Sequence, residues 1–242
     1  MIERFQAIVL RIVKYNDRMR IADVFTKEHG RMSFAIPEGS AKSKHKSARV
    51  MWRPLALVEF DADVKGKSNI PRPKDCRVYV NFVDLPYNPL KTMVAMFIDE
   101  LLCGALWGEQ SDEPLYQFVE QSLILLDSVE RHIANFHIAF AVSLLRFLGI
   151  EPVRKNGQTS AYYDLMAAEP ADVLPAHEHR LEGQEAAALQ LMLRMNYRNM
   201  RLFRFTRQQR LRTLEVINEY YRIHVPDFRT LKSIAVYADA LS

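Results

Sequence analysis

Residues 40–53 (SAKSKHKSARVMWR) carry Lys42, Lys44, Lys46, Arg49 and Arg53 around His45, with no acidic residue among them. Cations separated by serine and alanine, with no carboxylate nearby to hold them, suit a polyanionic backbone. Each can meet a phosphate electrostatically without reading a base. Arg18, Arg20 and Arg31 fall on neighbouring turns and strands and extend the same track. Phe5, Phe34, Trp52, Phe60 and Tyr79 offer rings for base stacking, about 1–3 kcal/mol each if exposed. Aromatics at period-two positions more often face a core, which leaves Trp52, inside the basic segment, as the platform candidate. A second basic run spans residues 194–212, where Arg194, Arg198, Arg201, Arg204, Arg207, Arg210 and Arg212 occur with no Asp or Glu from 186 to 214. Their spacing walks around a helix and gives no single stripe. A break near 196–199 would leave Arg207 and Arg210 on one face of a last helix. Arg198, Arg201, Arg204, Arg207 and Arg210 form either a second patch for DNA or a partner peptide, or counter-charges for an acidic middle segment.

Catalytic and metal signatures are weak by comparison. Gly66-Lys67-Ser68 resembles the end of a phosphate-binding loop, but Asp61 stands where that loop needs glycine, and Pro71 and Pro73 forbid the helix that should follow. No dinucleotide-binding glycine pattern, C-x-x-C or Ser/His/Asp set stands out. Cys76 and Cys103 are 27 residues apart, too few and too distant for a structural zinc site. His177 and His179 flank Glu178 and read as solvated loop residues before metal ligands. His132 and His137 diverge around a helix and read as packing or surface residues. No metal, cofactor or catalytic residue is assigned. Two cysteines exclude a disulfide framework and fit a cytoplasmic protein with reduced thiols. The charged start, with Glu3, Arg4 and Arg11, is no signal-peptide core, and the apolar stretch 93–107 is broken by Asp99 and Glu100, so no membrane association is expected.

The elements that must carry these residues change character along the chain. Its 242 residues are 49% hydrophobic and 26% charged, which excludes a disordered chain. Residues 1–80 hold 17 Lys/Arg against 9 Asp/Glu, residues 81–185 hold 6 against 16, and residues 186–242 hold 10 against 4. Two basic ends therefore bracket an acidic middle, and nucleic acid is the commonest partner for such asymmetry. Five period-two runs occupy the first eighty residues, with turns at Asn16-Asp17 and Glu28-His29-Gly30 and a fourth run opened by Pro54. Five short strands in that length predict an OB-fold barrel over residues 1–82. Two prolines in 84–89 mark the boundary, and an all-helical domain is expected over 83–242. Its helices start at Asn88-Pro89, at Asp112 with Pro114, near Val129, near Gln184, and at Thr206, where Thr206 and Gln209 fit a capping box. The third ends at Gly149. Residues 150–183 are proline- and glycine-interrupted and read as an irregular loop region.

Taken in order, these words resemble the RecO family of bacterial recombination-repair mediators. The carrying residues are Ala7-Ile8-Val9-Leu10-Arg11, Asp17 to Arg20, and Val24-Phe25-Thr26-Lys27-Glu28-His29-Gly30-Arg31. With them go the basic connection 39–49, Pro54-Leu55-Ala56-Leu57-Val58-Glu59, Phe147-Leu148-Gly149 with Pro152, Tyr221, His224 and Leu231-Lys232-Ser233. The resemblance spans nearly the whole chain. It implies an OB-fold followed by a helical domain, no catalytic site, and a cytoplasmic, nucleoid-associated protein. The implied partners are single- and double-stranded DNA, RecR, the C-terminal tail of single-strand-binding protein and, indirectly, RecA. The implied activity is annealing of single strands and, with RecR, loading of RecA on coated DNA. Many members carry a four-cysteine zinc module after the Leu-Gly-x-x-Pro region. Residues 149–183 here contain no cysteine, so zinc is not carried over. The alternatives are a structural adaptor whose barrel binds protein, and a metal-dependent DNA-processing enzyme with scattered carboxylates.

Overall fold

A computed structural model of the chain describes residues 2–38, 51–64, 70–106, 108, 110–154 and 160–240. They divide into two compact units, residues 1–95 with 106–128 and residues 96–105 with 129–242.

The first unit is built on five antiparallel strands: β1 (Ile2–Lys14), β2 (Met19–Thr26), β3 (Gly30–Pro37), β4 (Leu57–Asp63) and β5 (Lys74–Val80). Their order is β3-β2-β1-β4-β5, with Ile8 of β1 opposite both Phe25 and Leu57. This is the strand circuit of an OB-fold cut open between β3 and β5. The sheet is not a closed ladder; across the cut, Ala35 N–H donates to Pro71 O at 2.9 Å, just ahead of β5. Asn16 makes the first hairpin, its Oδ1 accepting from the backbone of Arg18 and Met19 at 2.9 Å each. Gly30 makes the second at φ 73°, a left-handed conformation that favours glycine.

Alternation along these strands sends Phe5, Ala7, Val9, Ala22, Val24, Phe34, Ile36, Val58, Phe60 and Ala62 into one core. Phe5 and Phe60 stack at 5.5 Å, with Phe34 edge-on to Phe60 at 4.7 Å. Truncating any of these rings to alanine should cost about 3–5 kcal/mol. Ile8, Leu10 and Phe25 face the other side and are also buried. There Phe25 meets Tyr116 of helix α2 (Glu113–Ser128) at 5.8 Å. The helix α1 (Pro89–Ala105) starts as the sequence predicts, with Asn88 Oδ1 accepting from Leu90 N–H at 3.1 Å. Asp112 caps α2 through Leu115 N–H at 2.9 Å. Lys91 is fully buried, its ammonium donating to Asp127 O and paired with Asp84 at 2.7 Å, which ties the start of α1 to the end of α2.

The second unit holds α3 (Phe136–Phe147), α4 (Gly183–Met192), α5 (Arg207–His224) and α6 (Ser233–Ala240). The Thr206–Gln209 capping box is formed in full. The third helix starts later than its periodicity predicts. His132 sits at φ 64°, and a 3-10 turn over Ile133–Asn135 precedes Phe136. Gly149, at φ 70°, ends it, with Ile150 N–H donating to Leu145 O at 3.0 Å. The irregular stretch contains a small sheet of three-residue strands, β6 (Tyr162–Asp164), β7 (Glu169–Ala171) and β8 (Arg180–Glu182), in the order β7-β6-β8.

Candidate nucleic-acid interface

Lys42, Lys44, Lys46 and Arg49 lie outside the described residues. The structure does describe where their connection leaves and rejoins the barrel. At the departing end, Glu38 N–H donates to Arg18 O at 2.8 Å, fastening the end of β3 to the β1–β2 turn. At the returning end, Leu55 N–H donates to Val9 O at 2.7 Å and Ala56 N–H to Arg53 O at 3.0 Å. Arg53 is half-buried.

Three guanidinium groups gather near the departure point. Arg18 is exposed and, among the described residues, makes no ion pair. Arg20 pairs with Glu38 at 2.6 Å. The third, Arg72, lies outside both basic segments of the sequence. Its Nη2 lies 3.6 Å from Met19 Sδ, brought there by the Ala35–Pro71 link across the open seam. Met19 is 53 residues away in sequence, so no local signal exposes the contact. Arg31 behaves differently from Arg18. Its guanidinium grips Asp23 with two bonds, 3.1 Å through Nε and 2.7 Å through Nη2, and donates to Leu106 O at 2.7 Å. Asp23 is buried, so this pair is a structural clamp of the first unit.

The aromatic platforms are corrected by burial. Trp52 is only 7% exposed and packs on Phe60 at 5.6 Å, inside the core. Phe5, Phe34 and Phe60 share that core. The Tyr79 hydroxyl is engaged by Tyr116 at 2.9 Å and by Glu120, and burial pushes its pKa up. Trp52, Phe5, Phe34 and Phe60 therefore present no free face for a base, while Tyr79 is half-buried with its hydroxyl engaged.

In the second unit, the break near 196–199 is present. Asn196 Oδ1 accepts from Arg198 N–H at 2.9 Å, a 3-10 turn spans Met200–Leu202, and α5 follows. Arg198, Arg201 and Arg204 are exposed and make no ion pair among the described residues. Arg207 is exposed as well. Arg210 instead turns inward, with Nε donating to Asn135 Oδ1 at 3.2 Å, and burial lowers its pKa. Asn135 Nδ2 in turn donates to Phe203 O at 2.7 Å. Arg210 therefore organises the base of the segment and does not share an open face with Arg207. Arg212 pairs with Glu185 at 2.7 Å and Glu215 at 3.4 Å. Compensation of the acidic middle segment thus reaches Arg212 through Glu185.

Among the described residues, no group of three or more His, Cys, Asp or Glu is placed to hold a metal ion. No described helix is long and apolar enough to cross a membrane.

Residues 1–82 match the family model for the N-terminal part of recombination protein O, and residues 86–233 match the model for its C-terminal part. The chain is 38% identical to a protein named DNA repair protein RecO from Phocaeicola vulgatus, covering 100% of both chains. It is 37% identical to the protein of that name from Bacteroides fragilis over 98% of each chain, and 32% identical to that from Porphyromonas gingivalis over 94% of each.

Proposed function

The chain belongs to the RecO family of DNA repair proteins of the recombination pathway, and on that premise we propose that it is a non-catalytic DNA-binding mediator. It anneals single strands and, with RecR, helps load RecA on DNA coated with single-strand-binding protein. The observation that carries this reading is the acid-free connection 40–53, which leaves the barrel beside Arg18, Arg20 and Arg72. Annealing requires that two polyanions be held together with their repulsion reduced while the bases stay free to pair. Lysines meet that requirement, because their ammonium groups neutralise phosphate without reading bases. The burial of Trp52, Phe5, Phe34 and Phe60 favours such backbone binding over base stacking. Double-stranded DNA is bound in the same manner. The exposed Arg198, Arg201 and Arg204 receive the acidic tail of single-strand-binding protein.

Oligonucleotide binding across a salt series tests the reading. If about four phosphates are neutralised, log K against log salt falls with a slope near −3 for single strands. Replacing Lys42, Lys44, Lys46 and Arg49 by alanine should remove most of that slope. A variant with the parent slope would move the site elsewhere. No binding at moderate salt would favour the adaptor reading, and metal-dependent cleavage of the oligonucleotide the enzyme reading.

A further inference from the structure

Residues 150–182 occupy the place where the family resemblance puts a zinc module in many members, and they hold no cysteine. Their histidines do not fit the metal either. His177 Nε2 lies 3.1 Å from Asp164 Oδ2, and His179 Nδ1 lies 2.8 Å from Glu219 Oε1. Each imidazole is committed to its own carboxylate, and the two rings are 6.4 Å apart at an angle of 39°. Four-coordinate zinc needs donors converging on one point about 2 Å away.

The same contacts do something else. Tyr163, in the central strand β6, is completely buried, and its hydroxyl proton is shared between Val153 O and Ala168 O, at 2.9 Å each. It thereby joins the chain entering the small sheet to the turn between β6 and β7. The His177–Asp164 contact closes the segment between β7 and β8 onto the end of β6. Leu165 N–H donates to His179 O at 3.0 Å on the same side. Two further contacts reach α5: His179 to Glu219, and His224 Nε2 donating to Leu165 O at 2.7 Å. Tyr220, one turn earlier on α5, donates from its hydroxyl to Ile150 O at 2.8 Å.

We propose that this region is stapled by a metal-independent clasp, in which the Tyr163 hydroxyl and the His177–Asp164 pair close the small sheet and the His179–Glu219 and His224–Leu165 contacts fasten it to α5. A metal knot holds all its ligands through one centre and releases them together. The clasp distributes the load over separate hydrogen bonds, so each can be weakened alone.

Hydrogen exchange on the full-length protein tests this. A chelator should leave exchange over residues 162–182 unchanged, and zinc released on denaturation should fall far below one equivalent per chain. His177→Ala and His179→Ala should each speed exchange there by about fivefold, the upper range for a partly exposed pair, with β1 to β5 unaffected. His177→Gln and His179→Gln, whose amides can donate to the same carboxylates, should keep it slow. Stoichiometric zinc, loosening by chelator, or parental exchange in both alanine variants would overturn the proposal. Should those variants unfold throughout, Tyr163→Phe serves in their place. It removes only the hydroxyl, and unchanged exchange in it would count equally against the clasp.

Discussion

His137 is sealed in the second unit at 1% exposure, stacked on Tyr237 at 4.6 Å and edge-on to Phe97 at 5.4 Å, with neither ring nitrogen hydrogen-bonded. Burial, and then the charge of Arg210, hold its pKa down from 6.5 to about 3. Asp99 is the opposite case: burial, reinforced by Glu100, pushes its carboxyl up from 3.8 to about 7. Between pH 6.5 and about 4, unfolded His137 binds a proton that the folded form refuses, so acidification costs about 1.4 kcal/mol per pH unit. Over the same window folded Asp99 keeps a proton that the unfolded chain releases, which gives a slope of similar size and opposite sign. The two should largely cancel in the parent protein. His137→Phe should therefore gain stability on acidification through this window, and Asp99→Asn should lose it. Urea unfolding at stepped pH reads both slopes, and a parental profile in both variants would refute the assignment. At this scale the sequence is a partial guide. Basic residues are conspicuous in it, but Arg18 and Arg31 look alike until Asp23 and the Leu106 carbonyl claim one of them. Trp52 sits among cations in sequence, yet its ring inserts against Phe60 because the barrel needs volume there.

Local signals locate elements well where the backbone groups that need capping are satisfied nearby. Asn88-Pro89, Asp112 and the Thr206–Gln209 box each mark a helix start that the structure contains. The sequence predicts the third helix from near Val129, but the left-handed His132 interrupts the chain there and the helix begins at Phe136. The three-residue strands of the small sheet are too short to show a period. The β2–β3 hairpin shows what a local reading omits. Gly30 is recognisable as a turn glycine, but its second constraint is remote: a Cβ there would lie 2.4 Å from Gln110 O. Arg31 N–H donates to Gly108 O at 3.1 Å, Ser111 Oγ donates to Lys27 O at 2.9 Å, and Lys27 pairs with Glu113 at 3.0 Å. The segment leading into α2 is thus strapped to this turn. Gly30→Ala should cost about 2–4 kcal/mol, combining positive-φ strain with a backbone collision. Gly149→Ala, at φ 70° with open space around it, should cost only about 1 kcal/mol. Equal losses in denaturant titrations would show that the strap yields freely.

For the molecule as a whole, the alternation of basic, acidic and basic segments is plain in the sequence, whereas the engagement of each charge is not. Arg198, Arg201 and Arg204 remain exposed without ion pairs among the described residues, while Arg210 and Arg212 are held by Asn135 and by Glu185. Replacing Arg198, Arg201 and Arg204 by glutamate should weaken binding of an acidic tail peptide by about tenfold or more, with fluorescence anisotropy as the readout. The same triple variant should leave the salt slope for oligonucleotides unchanged if the 40–53 connection carries it. Loss of both would merge the two sites, and loss of neither would remove this segment from the peptide interface. Strand order was legible as a barrel because period-two runs and turn residues recur in sequence. Closure depends on a meeting of β3 with the approach to β5 that no short window contains. That meeting, marked among the described residues by the Ala35–Pro71 bond, makes the ring behave like a hinged bracelet. Lengthening or shortening the stretch after Pro37 would be absorbed by opening the bracelet slightly at its join, while the four paired interfaces kept their alignment.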